Sequence, residues 1–170
     1  MLVPLREAAE DTRVVLAKRA GHLRLHAGEI AFPGGKCEAQ DHSVWDTALR
    51  EAMEETGLPP EAAEPLGALR PLVTRSGIEV TPCVARLDPA VQLTPNPEEL
   101  DLLFEVPVAF FADRQKLEFE PFEYGGRQRL VPCYQWRTHR IWGVTAAMLV
   151  MLVNAGFDAG IKLDAYWRGR

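Results

Sequence analysis

Cysteine is scarce in this 170-residue chain: Cys37, Cys83 and Cys133 lie far apart, an odd number without a Cys-x-x-Cys pair. That excludes a disulfide framework and a thiolate zinc cage, and it fits a reducing compartment. Positive charge is short as well, with 19 Lys and Arg against 24 Asp and Glu, a net charge of -5 and a pI of about 5.4. Such a balance excludes a general nucleic-acid binder, which needs a basic face. It leaves room for a small anionic substrate, because a metal or a local arginine cluster can invert the field inside one pocket. Long hydrophobic runs are missing too: the longest apolar stretch, Ile141 to Val153, falls short of the roughly 20 residues that span a bilayer. Met1 to Leu5 has neither the charged nor the long apolar region of a signal peptide. The expectation is a soluble, cytoplasmic protein with no membrane and no nucleic-acid partner.

What is present is enough apolar residue, 47%, for one domain over residues 1–170 with its own core. No repeat or Gly/Ser linker divides the chain. Leu2–Leu5 and Val14–Lys18 read as paired strands, Gly21–Ala27 as loop, and Glu29–Phe32 as a brief strand stopped by Pro33-Gly34-Gly35. Asp41 or Ser43 can cap a helix running to Thr56, with Gly57 as its stop and Pro59-Pro60 beyond. Leu66–Thr74 and Ile78–Leu87 read as strands around a Ser76-Gly77 hairpin, and Leu100–Val106 as another strand. Leu117–Phe122 and Leu130–Trp136 flank Gly125-Gly126 as a second hairpin. Trp142–Asn154 is an apolar helix ended by Gly156. Strands with just two substantial helices imply an α+β fold, a mixed sheet between helices. The apolar Phe104–Phe111 region suits either core or a homodimer contact.

The helix ending at Thr56 carries the chemistry. At roughly 100° per residue, Trp45, Ala48, Leu49, Ala52 and Met53 face the core, whereas Glu51, Glu54 and Glu55 converge through i+3 and i+4 spacing. Three like charges so placed repel one another, and a hard divalent cation, Mg²⁺ or Mn²⁺, removes the penalty. The plain alternative is a solvated acidic face. Against it stand Arg50, which can brace a carboxylate with its fork of N–H groups, and the Pro33-Gly34-Gly35 loop, whose backbone can approach a ligand closely. His22 and His26 lack the intervening Glu of a zinc helix. His42 and His139 carry no motif, and Met148 and Met151 suit the core.

Gly35 followed by Arg50-Glu51-Ala52-Met53-Glu54-Glu55-Thr56-Gly57-Leu58 resembles the box of the Nudix hydrolase family: Gly, five residues, Glu, seven residues, Arg-Glu-apolar-x-Glu-Glu-x-Gly-apolar. Asp41 stands where the middle Glu would be, with one extra residue before Arg50. The resemblance implies an α/β/α sandwich with a mixed sheet, Glu51 and Glu55 as principal metal ligands, Glu54 in the metal shell, and the Gly35 carbonyl as a further ligand. It also implies that Arg50 orients the glutamates and Asp41 braces the loop. Upstream, Arg19-Ala20-Gly21-His22-Leu23-Arg24-Leu25-His26-Ala27-Gly28-Glu29-Ile30-Ala31-Phe32-Pro33-Gly34-Gly35 resembles the signature of the coenzyme A pyrophosphatase branch. In that branch the longer spacing and the Asp are common. Pro95-Asn96-Pro97-Glu98-Glu99 and Ile141-Trp142-Gly143-Val144-Thr145-Ala146 are similar to it too.

The function implied is metal-dependent hydrolysis of the pyrophosphate bond of coenzyme A or acyl-coenzyme A, to 3′,5′-ADP and 4′-phosphopantetheine or its acyl form. Arg19 and Arg24 suit phosphate recognition through forked hydrogen bonds, with Gly28, Phe32 and Gly34 in the same binding segment, although Phe32 suits a core anchor better than a stacking platform. Glu54 is the box residue nominated as base, and Glu99 is the candidate from outside the box. Three other readings stay open: the same chemistry on ADP-ribose or NADH, a catalytically silent nucleotide-binding module, and a purely structural domain with an acidic helix.

Overall fold

A computed structural model describes residues 1–74, 76–124 and 127–163, gathered into two compact units, Met1–Pro107 and Val108 onward. In the first unit, β1 (Leu2–Glu7) pairs antiparallel with β2 (Thr12–Arg19), and β2 pairs with both β3 (Ile30–Ala31) and β8 (Leu100–Pro107). On its other side β1 runs parallel to β7 (Cys83–Leu87), which pairs antiparallel with β4 (Ala63–Ala68). The result is a six-stranded mixed sheet. The Ser76-Gly77 turn joins β5 (Leu72–Val73) and β6 (Glu79–Val80), a separate short ladder. The longer strands expected around it are broken where Pro71 and Pro82 withhold backbone N–H groups.

Helix α1 (Val44–Thr56) begins at Ser43, whose hydroxyl accepts from the Asp46 N–H, and ends on Gly57 in the left-handed conformation, φ 66°. Its Ala48 and Ala52 pack with Leu2, Val15, Cys83, Ala85 and Leu87 of the sheet, joined by Leu58 and the part-buried Trp45 and Leu49. Met53, expected among the core residues, is 47% exposed, and Glu55 is buried instead. On the helical wheel Glu55 falls close to the Ala48–Ala52 line, while Met53 lies well round the other side.

The second unit contains α2 (Val108–Ala112), the antiparallel ladder β9 (Leu117–Tyr124), β10 (Arg127–Trp136) and β11 (His139–Trp142), and α3 (Gly143–Gly156). The expected Gly125-Gly126 turn lies outside the described residues. Phe111 is fully buried against Tyr134, whose hydroxyl donates to the Phe111 carbonyl at 3.1 Å. Phe111 is therefore core of this unit. Both α2 and β11 are too short to have shown a period in the sequence. No helix among the described residues is long and apolar enough to cross a membrane.

Candidate active site

The last two turns of α1 and the Pro33–Asp41 loop bring one cation and several acids together. Arg50 is the hub. Its Nε and Nη2 meet the two Asp41 oxygens at 3.1 and 3.0 Å, a forked pair, and Nη2 also donates to the Lys36 carbonyl at 2.9 Å. Its Nη1 lies 3.1 Å from Glu51 Oε1 and 3.3 Å from Glu54 Oε2. Asp41 accepts further hydrogen bonds from the Glu38 N–H and the Thr47 hydroxyl, each at 2.9 Å. Those donors, Arg50 first, hold the Asp41 carboxyl well below the usual carboxylate range, and Asp41 in turn raises the Arg50 guanidinium. Asp41 thus fixes Arg50, and Arg50 fixes Glu51 and Glu54.

Glu55 is treated differently. It is 3% exposed, and it accepts a hydrogen bond from a neutral amide, the Gly34 N–H, at 3.0 Å from Oε2. Burial pushes its carboxyl up to about 7 against that hydrogen bond, with Glu99 and Glu51 adding repulsion and Arg19 opposing them. Burial also raises Glu51, against Arg50, while Glu54 and Glu99 push the same way. Four carboxylates therefore feel one another here, three from α1 and Glu99 from the loop before β8.

Gly34 and Gly35 make this approach feasible. A Cβ on Gly34 would meet the Met1 Cα at 2.7 Å, and one on Gly35 would fall under 3.0 Å from the Glu51 carboxylate. The Gly35 backbone consequently lies directly against Glu51. Among the described residues, no three acid, imidazole or thiol groups converge into a closed metal cage, and Arg50 Nη1 stands between Glu51 and Glu54. Buried, mutually repelling oxygen donors beside an open backbone nevertheless form a donor set whose chemistry suits a hard divalent cation.

These features match a known family. The chain matches the NUDIX domain over residues 2–123. It is 39% identical over 141 residues to a Photorhabdus laumondii protein designated an uncharacterized Nudix hydrolase, NudL, covering 83% of this chain and 75% of that one. A Yersinia enterocolitica protein of the same designation is 39% identical over 154 residues, covering 91% and 78%. The chain belongs to the Nudix hydrolase family. As a Nudix hydrolase it cleaves the pyrophosphate linkage of a nucleoside diphosphate derivative, and hydrolases of this family generally use divalent metal ions. The fold is shared with a MutT/nudix family protein from Enterococcus faecalis, TM-score 0.58 at 20% identity, covering 92% of this chain and 60% of that one. It is shared also with a C. elegans Ap4A hydrolase, TM-score 0.55 at 18% identity, covering 64% and 78%.

Within this Nudix chain, the other expected binding residues are spread more widely. Arg19 ends β2 close enough to Glu55 to favour its ionisation, and its buried Nε has no hydrogen-bond partner among the described residues. Gly28, at φ 71°, donates its N–H to the Arg19 carbonyl at 3.1 Å and closes the loop between them. Arg24 stands exposed on that loop. Phe32 is 2% exposed, so its ring is a core anchor and offers no face to a ligand. Thr47, which braces Asp41, carried no signal in the sequence, and Asn96, whose N–H donates to the Glu55 carbonyl at 2.8 Å, stood there only within the Pro95–Glu99 resemblance, with no role of its own.

Proposed function

We propose that this Nudix hydrolase cleaves the pyrophosphate bond of coenzyme A or an acyl-coenzyme A, giving 3′,5′-ADP and 4′-phosphopantetheine or its acyl form. The observation that carries the reaction is the cluster of Glu51, Glu54, Glu55 and Glu99 against the Gly34–Gly35 backbone, with Arg50 as its only arginine brace on α1. The substrate assignment is supported by the Arg19-to-Gly35 segment and its resemblance to the coenzyme A pyrophosphatase signature. We read all 170 residues as one domain serving this reaction.

Glu51, Glu54, Glu55 and the Gly35 carbonyl would hold Mg²⁺ or Mn²⁺. Such an ion, when bound, offsets charge developing on pyrophosphate oxygens and lowers the pKa of an attacking water. The protein supplies the remainder. Arg19, whose buried Nε has no hydrogen-bond partner among the described residues, binds a phosphate oxygen, and Arg24 reaches the substrate from the loop. Arg50 keeps Glu51 and Glu54 aimed and is itself held by Asp41 and the Lys36 carbonyl. Since the Glu54 carboxylate is already engaged by Arg50 Nη1, we assign the water's proton to Glu99 in preference to Glu54.

The test is a side-by-side turnover assay with coenzyme A and ADP-ribose in Mg²⁺ or Mn²⁺, with products separated by chromatography. Faster release of 3′,5′-ADP from coenzyme A supports the assignment. Faster cleavage of ADP-ribose rejects the substrate and leaves the chemistry intact. No turnover of either, in a protein that still binds nucleotide, points to a silent binding module.

A further inference from the structure

The Thr94–Leu100 stretch closes the C-terminal end of α1 from a distant part of the chain. The Thr94 N–H donates to the Thr56 carbonyl at 2.9 Å and the Asn96 N–H to the Glu55 carbonyl at 2.8 Å. These bonds satisfy carbonyls that a helix end leaves without partners. Asn96 Nδ2 lies 3.5 Å from the Glu54 carbonyl, and Oδ1 accepts from the Glu98 N–H at 3.1 Å. The Asn96 carbonyl then accepts from the N–H groups of Glu99 and Leu100, at 3.0 and 2.8 Å. Pro95 and Pro97 on either side have no N–H and a fixed φ, so Asn96 alone of the three can donate to the helix.

The same turn is sewn to the segment after Arg19. The Ala20 N–H donates to the Glu99 carbonyl at 2.8 Å, His22 Nε2 lies 3.2 Å from the Glu98 carbonyl, and the Gly21 N–H donates to Asp101 Oδ2 at 3.2 Å. Asn96 therefore joins the helix end carrying Glu54 and Glu55, the start of β8, and the edge that follows Arg19.

We propose that Asn96 is a positioning residue that fixes Glu99 beside Glu51 and Glu55, making the turn before β8 part of the hydrolytic site. The proposal rests on the reading that Glu99 serves that site, and it adds the residue that brings it there. Its side-chain Oδ1 sets the turn at Glu98, one residue ahead of Glu99. Removing that oxygen frees the Glu99 carboxylate while the backbone bonds of the turn remain available.

The test uses the full chain as wild type, Asn96→Ala, Glu99→Gln and the double variant. Two quantities are measured: kcat with coenzyme A and Mn²⁺, and the affinity for Mn²⁺ alone by electron paramagnetic resonance. Asn96→Ala is expected to lose about tenfold in kcat and Glu99→Gln, which removes the group that takes the water's proton, about 100-fold or more. Each is expected to lose about tenfold in Mn²⁺ affinity, the low end for residues that support a metal site. The double variant is expected to be no worse than Glu99→Gln, because Asn96 acts through Glu99. Asn96→Ser, whose hydroxyl can accept from the Glu98 N–H, is expected to recover most of both quantities, and it carries the test if Asn96→Ala does not fold. Losses that multiply in the double variant overturn the proposal, as does an Asn96→Ala protein equal to wild type. An unaffected Glu99→Gln overturns it too, while leaving the box carboxylates untouched. Failure of the substrate reading looks different, because wild type itself would then leave coenzyme A uncleaved.

Discussion

Glu55→Gln should make the metal-free protein more stable and the enzyme inactive. Burial raises the Glu55 carboxyl from an ordinary 4.5 to about 7, so the folded state takes up its proton before the unfolded chain does. The sign follows from linkage: with the folded value raised, stability falls as pH climbs from about 4.5 to about 7, and this group adds no further change above that. Keeping the carboxylate ionised at pH 8 costs roughly 3 kcal/mol relative to a solvated glutamate. Glutamine removes the charge, preserves the shape, and keeps an oxygen to accept the Gly34 N–H. In urea denaturation with EDTA at pH 8, followed by tryptophan fluorescence, the variant should gain up to roughly 3 kcal/mol. At pH 5, where the folded wild type is already protonated, the gain should fall to about 1 kcal/mol or less. Added Mn²⁺ should stabilise wild type and not the variant, and hydrolysis should fall by about 100-fold or more. A variant no more stable than wild type at pH 8, or one that retains hydrolysis, would refute the reasoning.

The same carboxyl sets a pH dependence for metal uptake: Mn²⁺ affinity should rise about tenfold between pH 6 and 8, because binding must displace its proton, and a flat titration would argue against Glu55 as a ligand. Gly35→Ala should displace the flexible end of Glu51, lowering turnover by about 10-fold or more with a denaturation midpoint close to that of wild type. Asp41→Asn should release Arg50 from its fork and reduce kcat by about tenfold, with Thr47→Val following in the same direction by less; steady-state kinetics of both variants checks the order. Tyr134→Phe removes the buried hydrogen bond to the Phe111 carbonyl and should cost about 1–3 kcal/mol without altering kcat.

Local order was largely legible in the sequence. Ser43, Gly57 and the apolar period fixed α1 within a residue or two, and β1, β2 and β8 appear where their apolar runs lie. The failures have physical causes. Hydropathy puts every glutamate outside, yet Glu55 falls on the wheel between Ala48 and Glu51, so geometry buries it while Met53 turns outward. Proline at positions 71 and 82 cuts two expected strands into four pieces. Within the site, Arg50 and its glutamates are neighbours along one helix, so their meeting can be read from spacing. Asn96 reaches the Glu55 carbonyl only through the tertiary path of a proline-rich loop, which no local pattern encodes.

The fork between Asp41 and Arg50 has a bearing on how such sites should be searched for. A guanidinium senses where two oxygens arrive and has no means of sensing the length of the route. Here the acid is one methylene shorter than a glutamate, and the loop leading to Arg50 is one residue longer than in the usual box. The contact is made all the same: the Glu38 N–H and the Thr47 hydroxyl hold the shorter side chain, and its oxygens reach Nε and Nη2 at 3.1 and 3.0 Å. A pattern that fixes both the residue type and the count will overlook chains that, like this one, make the contact with both altered.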